Sequence, residues 1–95
     1  MPVTVLIPTP LRPSVNNLES ISFEDVGTIS TIMDIIILLM NSYPKLNMYL
    51  VDDSGELRKF VNFYVNEIDI RDLDGQSSKI TDGDTISIIP AIAGG

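Results

Sequence analysis

One stretch of helical periodicity sets the limits on what this chain can fold into. In "GTISTIMDIIILLMNSYP", Ile32, Ile35, Ile36, Leu39 and Tyr43 recur at the spacing of a single helix face. A side-chain oxygen of Thr28, Ser30 or Thr31 can cap the start, and Asp34 suits the positive end of the helix dipole. Pro44 closes the segment. Met33, Ile37, Leu38 and Met40 widen the apolar belt beyond one stripe, which favours burial over the alternative, a self-association surface.

The segments around this helix read as strands. "VTVLIP" (3–8) is β-branched and apolar, as in a strand buried on both faces. Pro8, Pro10 and Pro13 then break regular structure, and "SVNN" continues the loop. "SISFED" (20–25) alternates, with Ile21 and Phe23 on one face. "FVNFYVN" (60–66) places Val61, Phe63 and Val65 inward and Asn62, Tyr64 and Asn66 outward. "EIDIRDLDG" reads as a short strand ending in a turn, and "TDGDTISIIP" as an Asp-Gly turn leading into a last strand with Ile86 and Ile88 inward. The order strand, strand, helix, strands defines an α+β domain, one helix packed on a small sheet. At 95 residues it is a single domain (1–95). A chain of that size has no room for a deep catalytic cleft.

The absent residue types narrow the chemistry. There is no His and no Cys, so the usual general base, the best nucleophile and ordinary nitrogen–sulfur zinc sites are missing. A disulfide framework is likewise absent. Carboxylates cluster at Asp52, Asp53 and Glu56, at Asp69, Asp72 and Asp74, and at Asp82 and Asp84. None follows a calcium-loop pattern, and each lies at a turn, where Asp serves local hydrogen bonding. An independent enzyme is not expected, nor a bound metal or cofactor.

Thirteen Asp/Glu against six Lys/Arg give a net charge of −7. That disfavours nucleic acid and anionic membrane surfaces as partners. A protein with a basic docking face is the natural complement. The N-terminus, "MPVTVLIPTPLRP", lacks the basic start and long apolar stretch of a signal peptide, so the expected location is cytoplasmic.

The remaining feature is the charge-free "IIPAIAGG". Pro90 has no N–H with which to extend a sheet and marks where the chain leaves the last strand, giving a flexible tail over 90–95. Small residues make a slender thread suited to a narrow slot in another protein. The reactive group there is the carboxylate of Gly95. As an acyl-adenylate it becomes open to attack, and the absence of a Cβ clears the approach.

"FVNFYVNEIDIR" followed by "DGDTISIIPAIAGG" resembles the MoaD/ThiS family of ubiquitin-like sulfur carrier proteins. "VTVLIPTPLRP" and the helix ending in "SYP" extend the resemblance over essentially the whole chain. It implies a β-grasp fold, a mixed sheet around one main helix with the first and last strands adjacent and parallel at its centre. It also implies that an E1-like adenylating enzyme uses ATP to activate Gly95, and that a sulfur donor protein converts the adenylate to a thiocarboxylate. Gly94 and Gly95 then carry the activated end. Ala93 and Ile92 lie in the partner's channel, with Pro90 and Ile89 at its mouth. Tyr64 and Ile89 are expected to form an apolar docking contact ringed by acidic residues, Asp82 and Asp84 among them; the alternative is that Tyr64 only shields the sheet edge.

"IPTPLRP" and the long loop after it look most like carriers for cysteine biosynthesis, which serve a pyridoxal-phosphate cysteine synthase and a metalloprotease that releases the product. The small subunit of molybdopterin synthase, partnered with the large subunit, comes next, then the thiamin-pathway carrier. "RDLDGQSS" departs from many relatives. Two other classes fit the same tail: a modifier joined through Gly95 to lysines, and a plain interaction domain.

Overall fold

The computed structural model describes residues 2–24 and 31–90. Strand β1 (Val3–Leu6) runs parallel to β5 (Thr85–Pro90), with Thr4 opposite Thr85 and Leu6 opposite Ser87. On the other side of β1 lies antiparallel β2 (Ser20–Phe23); on the other side of β5 lies antiparallel β3 (Val61–Val65), followed by β4 (Ile68–Asp69). The order β2-β1-β5-β3-β4 makes β5 the central strand. A parallel neighbour cannot be reached by a hairpin, so the chain between β1 and β5 must cross over, and it does so through the helices. This is the β-grasp arrangement that the resemblance implies.

Helix α1 (Ile32–Ser42) buries Ile32, Ile35, Ile36 and Leu39, while Tyr43, Leu38 and Met40 pack partly against the same core. Of the three candidate caps, Thr31 is the one observed: its Oγ1 accepts from the Asp34 N–H at 3.3 Å, and Asp34 Oδ2 accepts from the Thr31 N–H at 3.1 Å. That reciprocal pair is a capping box. Thr28 and Ser30 lie outside the described residues. The wide apolar belt is only partly buried, since Ile37 is 43% exposed.

Several local expectations change. β1 is buried on one face only: Val3 and Val5 enter the core, whereas Leu6 is 42% exposed. The proline-rich loop is a 3₁₀ helix, Thr9–Val15, that puts Leu11 and Val15 into the core. Proline's fixed φ of about −65° suits that geometry as well as a break. A second such turn, Pro44–Leu46, leads into a short helix, α2 (Asn47–Leu50), burying Leu46 and Leu50. Four residues are too few to show a period.

The acidic turns do what Asp does locally. Asp52 Oδ1 accepts from the N–H groups of Ser54 (2.8 Å) and Glu56 (3.1 Å) where Val51 bridges Leu57. Asp69 Oδ1 accepts from the Arg71 N–H at 2.8 Å and caps a further 3₁₀ turn, Ile70–Asp72.

Candidate functional site at the end of the central strand

The geometry of β5 fixes where the C-terminal segment begins. Ile86 and Ile88 are buried and anchor the strand from below, while Ile89 faces the opposite side and is 48% exposed. Pro90, opposite Val61, is the last residue of β5, so the strand continues one residue into the segment expected to be tail. Ile92, Ala93, Gly94 and Gly95 lie outside the described residues.

The start of β5 is fixed by a polar cluster. Asp84 Oδ2 accepts from the Thr81 N–H at 2.8 Å, and the Asp84 carbonyl accepts from the Thr4 N–H at 3.0 Å. Asn66 reaches across from the β3–β4 turn: its N–H donates to the Thr85 carbonyl at 2.8 Å, and its Oδ1 accepts from the Thr85 N–H at 2.9 Å. The strand is therefore clamped at its beginning, flanked by β1 from Thr85 to Ser87 and by β3 from Ile86 to Pro90. It delivers Pro90 at a set place and heading.

Asp84 is consequently no free member of an acidic docking ring. Its carboxylate holds the turn, with Asn66 Nδ2 donating to Oδ1 at 2.8 Å. Asp82, at the exposed tip of the same turn, remains available to face a partner.

The structure places Tyr64 on the outer face of β3, opposite Ser87 of β5 and Asp69 of β4. Ile89 pairs with Asn62, which makes Tyr64 and Ile89 diagonal neighbours on one face; such pairs lie about 7–8 Å apart. Leu6, on the far side of Ser87, extends this apolar patch. Beside Tyr64, Arg71 Nη2 donates to Asp69 Oδ2 at 2.8 Å. The hydrogen bonds from the Arg71 side chain and backbone hold the Asp69 carboxyl below its ordinary pKa, and the same pairing raises that of Arg71.

Sequence reasoning missed the other flank of the strand end. Met48 and Tyr49 of α2, with Leu11, Phe60, Val61 and Pro90, line a groove of about 260 Å³. The available signal was Met48, outside every expected element, and Phe60, at the start of the expected strand 60–66 but not in its inward set. Among the described residues, no helix is long and apolar enough to cross a membrane.

A β-grasp body with one rigid central strand ending at its surface defines a ubiquitin-like scaffold. The profile of the ThiS family matches residues 5–95, and the chain belongs to that family. It is 41% identical over 97 aligned residues to the sulfur carrier protein CysO of Mycobacterium tuberculosis, covering 100% of both chains. The CysO chain in the crystal structure of the Amycolatopsis orientalis BexX/CysO complex superposes with a TM-score of 0.84 at 35% identity, covering 98% of this chain and 99% of that one. Small archaeal modifier protein 3 of Haloferax volcanii is 35% identical over 66 residues, covering 70% of this chain and 71% of that one.

Proposed function

We propose that this protein is a sulfur carrier of the cysteine-biosynthesis type, a protein co-substrate rather than an enzyme. The observation that carries this reading is the fixed end of β5: a clamped central strand terminates at Pro90 and is followed by "AIAGG". Likeness to CysO along the full chain supports the cysteine branch over the molybdopterin and thiamin branches.

The chemistry starts from the carboxylate of Gly95. An oxygen of that carboxylate attacks the α-phosphorus of ATP on an E1-like enzyme, releasing pyrophosphate and leaving an acyl-adenylate. A sulfur nucleophile from a donor protein attacks the acyl carbon and expels AMP. With a persulfide donor, a second thiol attacks the donor's inner sulfur in the resulting acyl disulfide, forming a disulfide and releasing the thiocarboxylate. The thiocarboxylate sulfur displaces the leaving group from the activated substrate carbon on the accepting synthase. In this scheme Gly94 and Gly95 carry the activated end, Ala93 and Ile92 occupy the channel, and Pro90, Ile89 and Tyr64 meet its rim. The body's part is positional. Rigid delivery of the tail root removes the entropy of searching for the channel mouth.

Intact-mass measurement tests the proposal. Protein incubated with its activating enzyme, ATP and a sulfur source should gain the mass of one sulfur in place of one oxygen. A chain that stays at its starting mass, with ATP unconsumed, contradicts the proposal. The likeness to the archaeal modifier favours a second reading, conjugation through Gly95 to lysines of target proteins. It is distinguished by a ladder of larger conjugates in the same reaction.

A further inference from the structure

The root of the tail has a second flank, opposite in character to the outer sheet face. Phe60 and Met48, 66% and 67% exposed, line the same groove as Pro90. Leaving apolar surface in water is unfavourable by roughly 25 cal/mol per Å². A scattered Leu or Ile is ordinary, but two such side chains in one concave site that also contains Pro90 make a candidate docking surface.

The charges around the groove identify what fits it. Arg58 lines the groove, and its Nε donates to the Met48 carbonyl at 2.8 Å, fixing the guanidinium against the apolar wall. Arg58 and Val61 also line an adjoining pocket of about 380 Å³, together with Lys59 and Arg71. Arg58 and Lys59 thus put two of the six cations of a chain with net charge −7 on this flank, next to the Arg71–Asp69 pair. The carboxylate in that lining, Asp69, is taken by Arg71 in the one ion pair among the described residues. Arg58 and Lys59 have no carboxylate partner among them. The overall acidity calls for a basic partner face; here the local field calls for an acidic one.

Pro90 lines this groove and Ile89 next to it is exposed on the outer face, so a partner holding the tail root has both surfaces within reach. We propose that the enzyme that activates Gly95 grips the carrier here, with an apolar side chain seated between Phe60 and Met48 and adjacent carboxylates on Arg58 and Lys59. The inference rests on the sulfur-carrier reading.

The test uses the purified activating enzyme and ATP–pyrophosphate exchange, titrated with carrier at low and high salt. Lys59→Glu should raise the KM for the carrier about tenfold at low salt and far less at high salt, since exposed charges are screened. Phe60→Ser should raise it about tenfold at both, as expected for a central apolar anchor. Both positions are exposed, and melting curves matching the parent show that each variant folds. A photocrosslinking phenylalanine analogue in place of Phe60 should join the carrier to an acidic, apolar segment of the enzyme. An unchanged KM for both variants and no crosslink, while deletion of Gly95 still abolishes exchange, overturns this inference and leaves the carrier reading standing. Exchange that survives deletion of Gly95 overturns the carrier reading and this inference with it.

Discussion

Asn66 is joined to Asp84 across the sheet, its Nδ2 donating to Asp84 Oδ1 at 2.8 Å. The two residues belong to different turns, one after β3 and one before β5. Their bond ties the turn that opens β5 to the turn that closes β3, supporting the register set by the backbone ladders. Asn66 can do this because it sits at φ 50° in the left-handed region, which Asn tolerates better than most residues.

Replacing Asn66 should therefore cost more than its exposure suggests. Asn66→Ala removes two side-chain hydrogen bonds, each worth about 0.5–1.5 kcal/mol, and adds left-handed strain of about 1–2 kcal/mol. Urea unfolding should show a loss of about 2–5 kcal/mol, with Asn66→Gly recovering the strain but not the hydrogen bonds.

The capping box gives a cleaner local prediction. Thr31→Ala leaves the Asp34 N–H without its cap, at an expected loss of about 1 kcal/mol. Thr31→Ser keeps the oxygen and should stay within about 0.5 kcal/mol of the parent. Thermal unfolding by circular dichroism distinguishes them.

Asp69 supplies a pH dependence with a definite sign. Pairing with Arg71 lowers the folded-state pKa below the unfolded value, so the ionised form favours folding. The increment is fully present above the unfolded pKa of about 3.9 and is lost as pH falls through the lower folded value. Comparing urea midpoints between about pH 6 and pH 2, the parent should lose more stability on acidification than Asp69→Asn. Parallel curves would show that the pair contributes nothing; with the Arg71 side chain 68% exposed, the expected difference is small.

Partner contact through the outer face predicts separate behaviour for two neighbouring acids. Asp82→Lys should slow adenylation at low salt with the melting temperature unchanged, because Asp82 is exposed at the turn tip. Asp84→Lys should lower the melting temperature as well, because its carboxylate holds Thr81 and Asn66. Ile89→Asp should raise the carrier's KM with little loss of stability. If Ile89→Asp and Asp82→Lys leave partner kinetics untouched, the outer sheet face is not a contact surface.

Legibility in the sequence differs from residue to residue. The period of Ile32, Ile35, Ile36 and Leu39 marked α1, and the alternation around Phe63 and Ile88 marked β3 and β5 with their inward faces correct. Elements of three or four residues, such as Pro44–Leu46 and α2, leave no periodic trace. Their buried residues, Leu46 and Leu50, fell in a stretch that no expected element covered. Proline in "IPTPLRP" marked a departure from β-structure, but not that Leu11 and Val15 turn back into the core.

The sequence by itself determined the periodic elements, the acidic balance and the small, uncharged end, because each is written in neighbouring residues. Only the tertiary structure decided that Asp84 is a staple, that Leu6 joins Tyr64 and Ile89 on one face, and that Arg58 lines a groove with Met48 and Phe60. Those outcomes depend on residues far apart in the chain brought together by sheet register and core packing, and no local pattern encodes such distances.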